Sequence, residues 1–147
     1  MTEQVESATS LAEQTDVKDL IRRGRRAMSS FFNSDQARVD EVVTAIAWSV
    51  YQMETATRLA TQAVENTGLG SVADKVTKNQ RKTFGTLRDL LRVKTVGIIE
   101  DNPARGVVKY GKPVGVVAAI SPSTNPTATP VNKAMMAVKG RNAVIIA

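Results

Sequence analysis

The fold is decided by Val114-Gly-Val-Val-Ala-Ala-Ile120 and by Ser121-Pro-Ser-Thr-Asn-Pro126, which follows it directly. The first segment is apolar throughout, which is typical of a strand covered by helices on both faces. The second segment is rich in proline and hydroxyl residues and predicts a loop. A helix to about Val138 and the apolar residues 143–146 come next. Strand, loop, helix and strand together predict a βαβ unit, in which the two strands are parallel.

Two further strands are predicted just before this unit, within residues 94–112. The hydrophobic pattern changes here from a helical period to alternation, and Val96, Ile98 and Val107 are β-branched. Asp101-Asn102-Pro103 is a turn signal, because these residue types favour chain reversal. The segment therefore predicts an antiparallel pair of strands.

The preceding part of the chain, residues 16–93, lacks proline and repeats its apolar residues at helical spacing. We expect the first helix to begin after Asp16, which is suited to be its N-cap. We expect the second helix to start after Ser34 and to run unbroken until just before Gly68, since glycine ends helices readily. A third helix is expected over residues 72–92. Its inward face is predicted to consist of Val72, Val76, Leu87, Leu90 and Leu91.

The start of the third helix has two features with functional interpretations. Residues 68–73, Gly-Leu-Gly-Ser-Val-Ala, match a dinucleotide-binding pattern, but that pattern needs a preceding strand and here a helix precedes it. We therefore favour a plain turn between helices. A basic stretch follows and is either a phosphate-binding patch or a solvated helix face, of which we favour the second. It contains Lys75, Lys78, Arg81 and Lys82.

Composition excludes several classes of function. Cysteine and histidine are both absent. This chain therefore cannot form a disulfide, a Cys/His zinc site or a Ser-His-Asp or Cys-His hydrolytic site, and we expect no metal site. Any enzymatic chemistry needs a cofactor or residues that lie elsewhere. A net charge of +6 permits nucleic-acid binding without requiring it, although an aromatic content of 4% is low for base stacking.

Residues 1–15 are predicted to be a flexible acidic segment, because they hold several glutamates and no basic residue. A secretory signal needs a positively charged start, and a transit peptide avoids acidic residues, so neither is expected. No apolar run approaches the roughly 20 residues that a membrane-spanning helix needs. We therefore expect a cytoplasmic protein without a membrane partner.

The loop at residues 121–126 is the strongest candidate site. It follows a predicted buried parallel strand and precedes a helix, which is where doubly wound sheets bind ligands. Ser123 and Thr124 offer hydroxyl groups and Asn125 offers an amide. The alternative is an ordinary connection in which Asn125 is the helix N-cap and Pro126 occupies the first helical position. The residues alone support the two interpretations equally.

An ordered set of motifs extends over most of the chain from about Asp16. It includes Ala63-Val-Glu-Asn-Thr-Gly-Leu-Gly70, Asp74-Lys-Val76, Lys78-Asn79, Lys94-Thr-Val-Gly-Ile-Ile99 and Pro113-Val-Gly-Val116. Its most specific members are Pro122-Ser-Thr-Asn-Pro-Thr127 and Lys139-Gly-Arg-Asn-Ala143. Together these motifs resemble the aldehyde dehydrogenases that acylate coenzyme A.

The resemblance implies an NAD(P)-dependent oxidoreductase, using NAD or NADP, that converts a small aldehyde and coenzyme A into an acyl-CoA through a cysteine thioester. It implies an α/β fold in which residues 16–93 are the helical part of the cofactor domain. Residues 94–112 would be strands of an oligomerisation arm, so that the full-length protein is a homo-oligomer. Residues 113–147 would be the first βαβ unit of a Rossmann-like cofactor-binding sheet, which is incomplete within this chain.

The resemblance also assigns roles to the loop. It implies that the nicotinamide half of the cofactor lies against Ser121, Pro122, Ser123, Thr124 and Asn125. Hydrolytic relatives use an asparagine of this loop to stabilise the oxyanion. A gapless comparison places Thr124 at that position and Asn125 one residue later, so both are candidate oxyanion donors. The segment Ser121-Pro-Ser-Thr-Asn-Pro126 resembles the branch that acts on sulfoacetaldehyde, with Ser121 where relatives often have threonine.

The nucleophilic cysteine of the family is absent from this chain. The chain is therefore identified as an N-terminal part of a longer enzyme, which we expect to be inactive by itself and to have no nucleic-acid partner. A hypothesis of another class stays open at this point. In it the chain is a non-catalytic basic helical module that binds nucleic acid, as its pI of about 9.9 would allow.

Overall fold

The computed structural model describes residues 17–147, so the predicted acidic segment and the predicted N-cap Asp16 lie outside the described residues. Helices come first, then a β-hairpin, then the βαβ unit. The helices are α1 (Val17–Phe31), α2 (Gln36–Tyr51), α3 (Met53–Thr67) and α4 (Val72–Leu91). The hairpin has strands β1 (Gly97–Asn102) and β2 (Val107–Gly111), joined through a 3-10 turn at Pro103–Arg105. The βαβ unit is β3 (Val116–Ala119), α5 (Ala128–Lys139) and β4 (Ala143–Ile146).

The prediction of one unbroken second helix is wrong, because Gln52 separates α2 from α3. Gln52 has φ −56° and ψ 133°, outside the helical region. Its N–H still donates to the carbonyl of Trp48 (3.3 Å), and its own carbonyl accepts from the N–H of Ala56 (2.8 Å). One backbone hydrogen bond is therefore kept at each of the two helix ends that meet at the break. No glycine or proline marks this position, so the sequence carries no local signal for it.

Helix boundaries that are marked by a capping residue in the sequence lie where that residue predicts them. Asp35 is the N-cap of α2, and its side chain accepts a hydrogen bond from the N–H of Arg38 (2.8 Å). Gly68 ends α3 with φ 66°, as a C-terminal glycine often does. Ser71 then caps α4 by accepting from the N–H of Asp74 (3.2 Å). The predicted plain turn between these helices is confirmed.

The core lies where α2 packs against α4 and α5. Val39, Val43 and Ala47 of α2 and Met135 of α5 form its buried cluster. The alanines at one face of α3 (Ala56, Ala60 and Ala63) are also buried, and their small side chains permit close packing against α4. This arrangement holds α5, and with it the βαβ unit, on the helical part of the chain.

Both strand pairs have the predicted direction. In the hairpin, Gly97 pairs with Gly111 and Asn102 with Val107 in an antiparallel ladder, with an irregularity between Ile98 and Glu100. In the βαβ unit β3 and β4 are parallel, with Val116 opposite Ala143. Helices α1 and α5 both contact this pair, as predicted for a covered strand. The strand is shorter than the apolar run, because Val114 and Ile120 lie outside it and are exposed.

The inward face of α4 agrees with the prediction only in part, because Leu87 and Leu90 pack against the core cluster but the most buried positions are polar. Leu91 is exposed, and Val72, Val76, Leu87 and Leu90 are only partly buried. The fully buried positions of α4 are instead Lys75, Asn79 and Thr83, which recur every fourth residue and therefore share one face. Of these three side chains, Asn79 makes hydrogen bonds to other elements, which the hydrophobic pattern does not report.

Candidate functional site

The candidate loop begins at the carboxyl ends of both parallel strands. The N–H of Ser121 donates to the carbonyl of Ala147 (2.7 Å), and the N–H of Ala147 donates to the carbonyl of Ala119 (3.0 Å). These bonds continue the ladder past β3 and β4. The ammonium group of Lys133, on α5, donates to the carbonyl of Ile120. The loop therefore emerges from a fixed point at the edge where parallel sheets bind ligands.

Asn125 is not the helix N-cap and Pro126 is not the first helical residue, so these two assignments are wrong. Its N–H donates to the carbonyl of Pro122 (3.1 Å), which closes a turn, and α5 begins only at Ala128 with Thr127 at the N-cap position. Pro126 therefore precedes the helix. Within the described residues the Asn125 side-chain amide makes no hydrogen bond. The amide is thus free to donate to another molecule.

The five loop residues predicted to bind a cofactor differ in their surroundings. Pro122, Ser123 and Thr124 are exposed, and Asn125 is half-buried. Ser121 is also half-buried, and its hydroxyl oxygen is out of contact with solvent without a hydrogen-bond partner among the described residues. A buried hydroxyl usually has a partner. The structure therefore presents one unsatisfied hydroxyl and one unused amide in the same loop.

Asn79 of α4 is 1% exposed, and its side chain contacts the end of the loop. Its side-chain N–H donates to the carbonyl of Ala56 on α3 (3.4 Å), and its side-chain oxygen accepts from the hydroxyl of Thr127 (2.5 Å). One buried amide thus joins α3, α4 and the end of the loop. Asn79 belongs to one of the motifs that carry the family resemblance, but the sequence predicted no role for it. A polar residue in mid-helix, which is a poor helix former, is the signal that could have identified it.

Lys75 and Lys78 stand beside the loop on α4, so the prediction of a wholly solvated basic face is wrong for them. Lys75 is 7% exposed. Lys78 is half-buried, and its ammonium nitrogen lies 3.5 Å from the carbonyl oxygen of Thr124. Arg81 and Lys82 are exposed, as predicted. The two lysines and Thr124 line a groove of about 270 Å³ between the start of α4 and the loop.

Lys139 begins the second of the two most specific motifs, and it forms an ion pair in which the lysine is buried and the aspartate is partly exposed. Its side chain is 2% exposed and bonds the carboxylate of Asp40 on α2. The side-chain amide of Gln36 donates to the same carboxylate (2.9 Å). The carbonyl of Lys139 accepts from the hydroxyl of Thr95, ahead of the hairpin (2.6 Å). The end of α5 is therefore fixed to both α2 and the base of the hairpin.

The next two residues of this motif complete the connections around the βαβ unit. Arg141, with φ 58°, donates through its guanidinium to the carbonyls of Phe32 (2.6 Å) and Gly111 (2.9 Å). The side-chain oxygen of Asn142 accepts from the N–H groups of Val114 (2.7 Å) and Gly115 (3.0 Å). These residues position the first strand and the hairpin relative to α1. The sequence analysis identified their motif but not this structural role.

No helix within residues 17–147 is long and apolar enough to cross a membrane. Over the same residues, no group of three or more His, Cys, Asp or Glu side chains could hold a metal ion.

Curated relatives with similar sequences act on aldehydes. A sulfoacetaldehyde dehydrogenase (acylating) from Cupriavidus necator is 48% identical over 143 residues, which are 97% of this chain and 29% of the relative. A sulfoacetaldehyde dehydrogenase (acylating) from Bilophila wadsworthia is 47% identical over 129 residues, 88% of this chain and 28% of the relative. The chain spans less than a third of the length of these relatives.

Solved structures and a family model agree with this result. An acetylating aldehyde dehydrogenase from Geobacillus thermoglucosidasius superposes with a TM-score of 0.84 at 39% identity, over 89% of this chain and 28% of that one. A probable aldehyde dehydrogenase from Listeria monocytogenes has a TM-score of 0.86 at 31% identity, over 93% of this chain and 30% of that one. The model of the aldehyde dehydrogenase family matches residues 1–147. The chain belongs to the aldehyde dehydrogenase family.

Proposed function

We propose that this chain is part of an NAD(P)-dependent enzyme that oxidises an aldehyde and transfers the resulting acyl group to coenzyme A. The observation that carries the proposal is the loop after β3. It lies at the carboxyl ends of two parallel strands, and the amide of Asn125 makes no hydrogen bond within residues 17–147. The relatives with 48% and 47% identity are named as acylating enzymes, which supports the same reaction.

The loop residues fit a nicotinamide cofactor. Ser121 is half-buried, and its accessible atoms can contact the cofactor, whereas its hydroxyl oxygen is out of contact with solvent. Pro122 and Ser123 are exposed beside it and can contact the ring. Ser121, Pro122, Ser123, Thr124 and Asn125 would together hold the nicotinamide half of NAD or NADP. When bound, the cofactor accepts a hydride from the substrate carbon.

Thr124 and Asn125 would stabilise the oxyanion. Attack of a thiolate on an aldehyde places negative charge on the carbonyl oxygen, and fixed N–H or O–H donors lower the energy of that state. The free amide of Asn125 and the exposed hydroxyl of Thr124 are the donors that the loop offers. The bond between Thr127 and Asn79 holds the end of the loop that carries them. The chain has no cysteine, so the thiolate has to come from outside residues 1–147.

Sulfoacetaldehyde is the substrate that we propose. Relatives that cover 97% and 88% of this chain are named for it. Ser121, which the sequence analysis linked to that branch, lies at the base of the candidate loop. The same relatives support a coenzyme A requirement, since both are named as acylating.

The hairpin is proposed as an oligomerisation arm, formed within residues 94–112. Nearly every position of β1 and β2 is exposed. The exposed side chains include Ile98, Ile99, Val107, Val108 and Tyr110. An isolated two-stranded hairpin is marginally stable in water, and exposed apolar side chains on both of its strands favour a contact site. A second copy of the enzyme is the partner that we propose.

The alternative of a nucleic-acid-binding module loses its main support. That hypothesis needs a basic face open to phosphates. Lys75 is buried and the ammonium group of Lys78 lies against the loop, so only Arg81 and Lys82 of the basic stretch stay exposed.

The proposal is tested on the enzyme at the full length of its relatives. Sulfoacetaldehyde and either NAD or NADP should give reduced cofactor and sulfoacetyl-CoA when coenzyme A is present, with turnover falling to near zero without it. Residues 1–147 alone are the control and should be inactive, because they contain no cysteine. Equal turnover with and without coenzyme A, with release of free acid, would contradict the acylating reaction. Absence of any turnover with several aldehydes would contradict the proposal as a whole.

A further inference from the structure

The groove between the start of α4 and the candidate loop has a cationic wall. Lys75 and Lys78 are one helical turn apart and both line it, opposite Thr124 of the loop. The groove has a volume of about 270 Å³. It is therefore large enough for a small ligand group and borders directly on a residue proposed to stabilise the oxyanion.

Lys75 is the feature of this groove that indicates a ligand. It is 7% exposed, and within residues 17–147 its ammonium group makes no hydrogen bond and no ion pair. Its side chain runs under the turn at Gly70, where an added Cβ would meet the Cε atom of Lys75 at 3.6 Å. Lys75 lines the groove, so this unpartnered ammonium can donate hydrogen bonds to an anion that enters it.

The other charged groups of the groove strengthen its preference for an anion. Lys78 is held toward the loop, with its ammonium nitrogen 3.5 Å from the carbonyl oxygen of Thr124. Among the described residues that line the groove, Asp74 has the only carboxylate. That carboxylate already accepts a hydrogen bond from the hydroxyl of Ser71 (2.7 Å). Two ammonium groups against one engaged carboxylate leave the groove positively charged.

We infer that Lys75 and Lys78 bind the acid group of the aldehyde substrate, a sulfonate or a carboxylate. The inference rests on the proposed function, because it places the substrate carbonyl at Thr124 and Asn125. A short aldehyde with a terminal acid group then extends into the adjacent groove, where both ammonium groups can donate charge-assisted hydrogen bonds. The two lysines are specificity-determining residues in this account.

The test compares sulfoacetaldehyde with propionaldehyde, an uncharged aldehyde of similar size, in the full-length enzyme. Lys75→Met and Lys78→Met should each lower kcat/KM for sulfoacetaldehyde by about 10-fold to 100-fold relative to kcat/KM for propionaldehyde. Lys78→Arg should restore part of the loss, because it keeps the charge. Lys82→Met is the matched control, since Lys82 is an exposed lysine of the same helix outside the groove, and it should leave the ratio unchanged.

A second measurement does not depend on turnover of the charged substrate. We expect 2-hydroxyethanesulfonate to inhibit propionaldehyde oxidation competitively, and we expect Lys78→Met to weaken this inhibition by at least about 10-fold. Lys78 is half-buried, so this variant serves even if Lys75→Met fails to fold.

The outcomes separate this inference from the proposed function. Unchanged substrate ratios in both lysine variants, or equal losses for both aldehydes, would overturn the inference while the acylating reaction stands. An increase in the KM for coenzyme A without a change in the aldehyde ratio would also overturn it, because the anion would then be a phosphate of coenzyme A. Absence of turnover with every aldehyde in the parent enzyme would instead contradict the proposed function.

Discussion

The hairpin and the βαβ unit are both two-stranded sheets, yet they differ in what covers them. The hairpin strands β1 and β2 are exposed on nearly every residue, whereas β3 and β4 are packed against α1 and α5. The strands β3 and β4 consist only of valine, isoleucine and alanine, whereas β1 and β2 also contain charged and polar residues such as Glu100 and Lys109. Local composition therefore already distinguishes the covered strand pair from the exposed one, and α1 and α5 supply the cover.

The polar contacts differ in the same way. The hairpin carries an exposed cross-strand ion pair between Glu100 and Lys109 (2.6 Å). The βαβ unit is held by the pair of the buried Lys139 with Asp40. Exposed pairs contribute little, while breaking a buried pair leaves an uncompensated charge. We therefore expect substitutions at the base of the βαβ unit to affect folding and those on the hairpin to affect assembly.

The largest expected effect is at the ion pair of Asp40 and the buried Lys139. Asp40→Ala should lower the free energy of unfolding by about 3 to 5 kcal/mol, because Lys139 then stays buried without its partner. Glu41→Ala is the matched control, since Glu41 pairs with Arg38 at the surface, and it should cost at most about 1 kcal/mol. Urea denaturation measures both. Equal losses would show that the pair does not anchor α5.

A smaller effect is expected at Asn142, which joins β3 to the end of α5. Asn142→Ala removes the acceptor for the N–H groups of Val114 and Gly115 and should cost about 1 to 3 kcal/mol. Asn102→Ala on the hairpin removes one exposed bond to the N–H of Arg105 and is the comparison. Hydrogen exchange at Gly115 should accelerate only in the Asn142 variant. Faster exchange of that amide in both variants would refute a local role.

The smallest effect on stability is expected on the hairpin itself. Val108→Thr keeps the side-chain shape and should change the free energy of unfolding by less than about 0.5 kcal/mol, because Val108 is exposed. The same variant should weaken the proposed homo-oligomer in light scattering at decreasing concentration. Val93→Thr, at an exposed valine outside the hairpin, should leave assembly intact. An unaltered oligomer in the Val108 variant would argue against an arm.

Features with a local cause could be predicted from the sequence. The change from helical to alternating period indicated the hairpin, and the apolar run before Ser121 indicated a parallel strand. Gly68 and its turn followed from the conformational freedom of glycine. The loop at residues 121–126 was identified from its place between strand and helix.

Features that depend on contacts between distant parts of the chain could not be predicted from the sequence. The break at Gln52 has no glycine or proline to signal it. The buried amide of Asn79 on α4 bonds residues 23 and 48 positions away, and the buried ammonium of Lys139 pairs with Asp40, 99 positions earlier. Hydrophobic periodicity reports which face of an element is apolar, and it contains no term for such long-range polar pairs.

The central claim is that the loop after β3 supplies the oxyanion donor, and one measurement tests it most directly. The rate of cofactor reduction in a single turnover is compared between the full-length enzyme and its Thr124→Ala and Asn125→Ala variants, with Asn102→Ala as control. We expect at least one loop variant to lose about 10² to 10³ in rate, as loss of one oxyanion donor does. The variant in which the rate falls by this amount identifies the residue that donates to the oxyanion. Parent-like rates in both loop variants would contradict the claim.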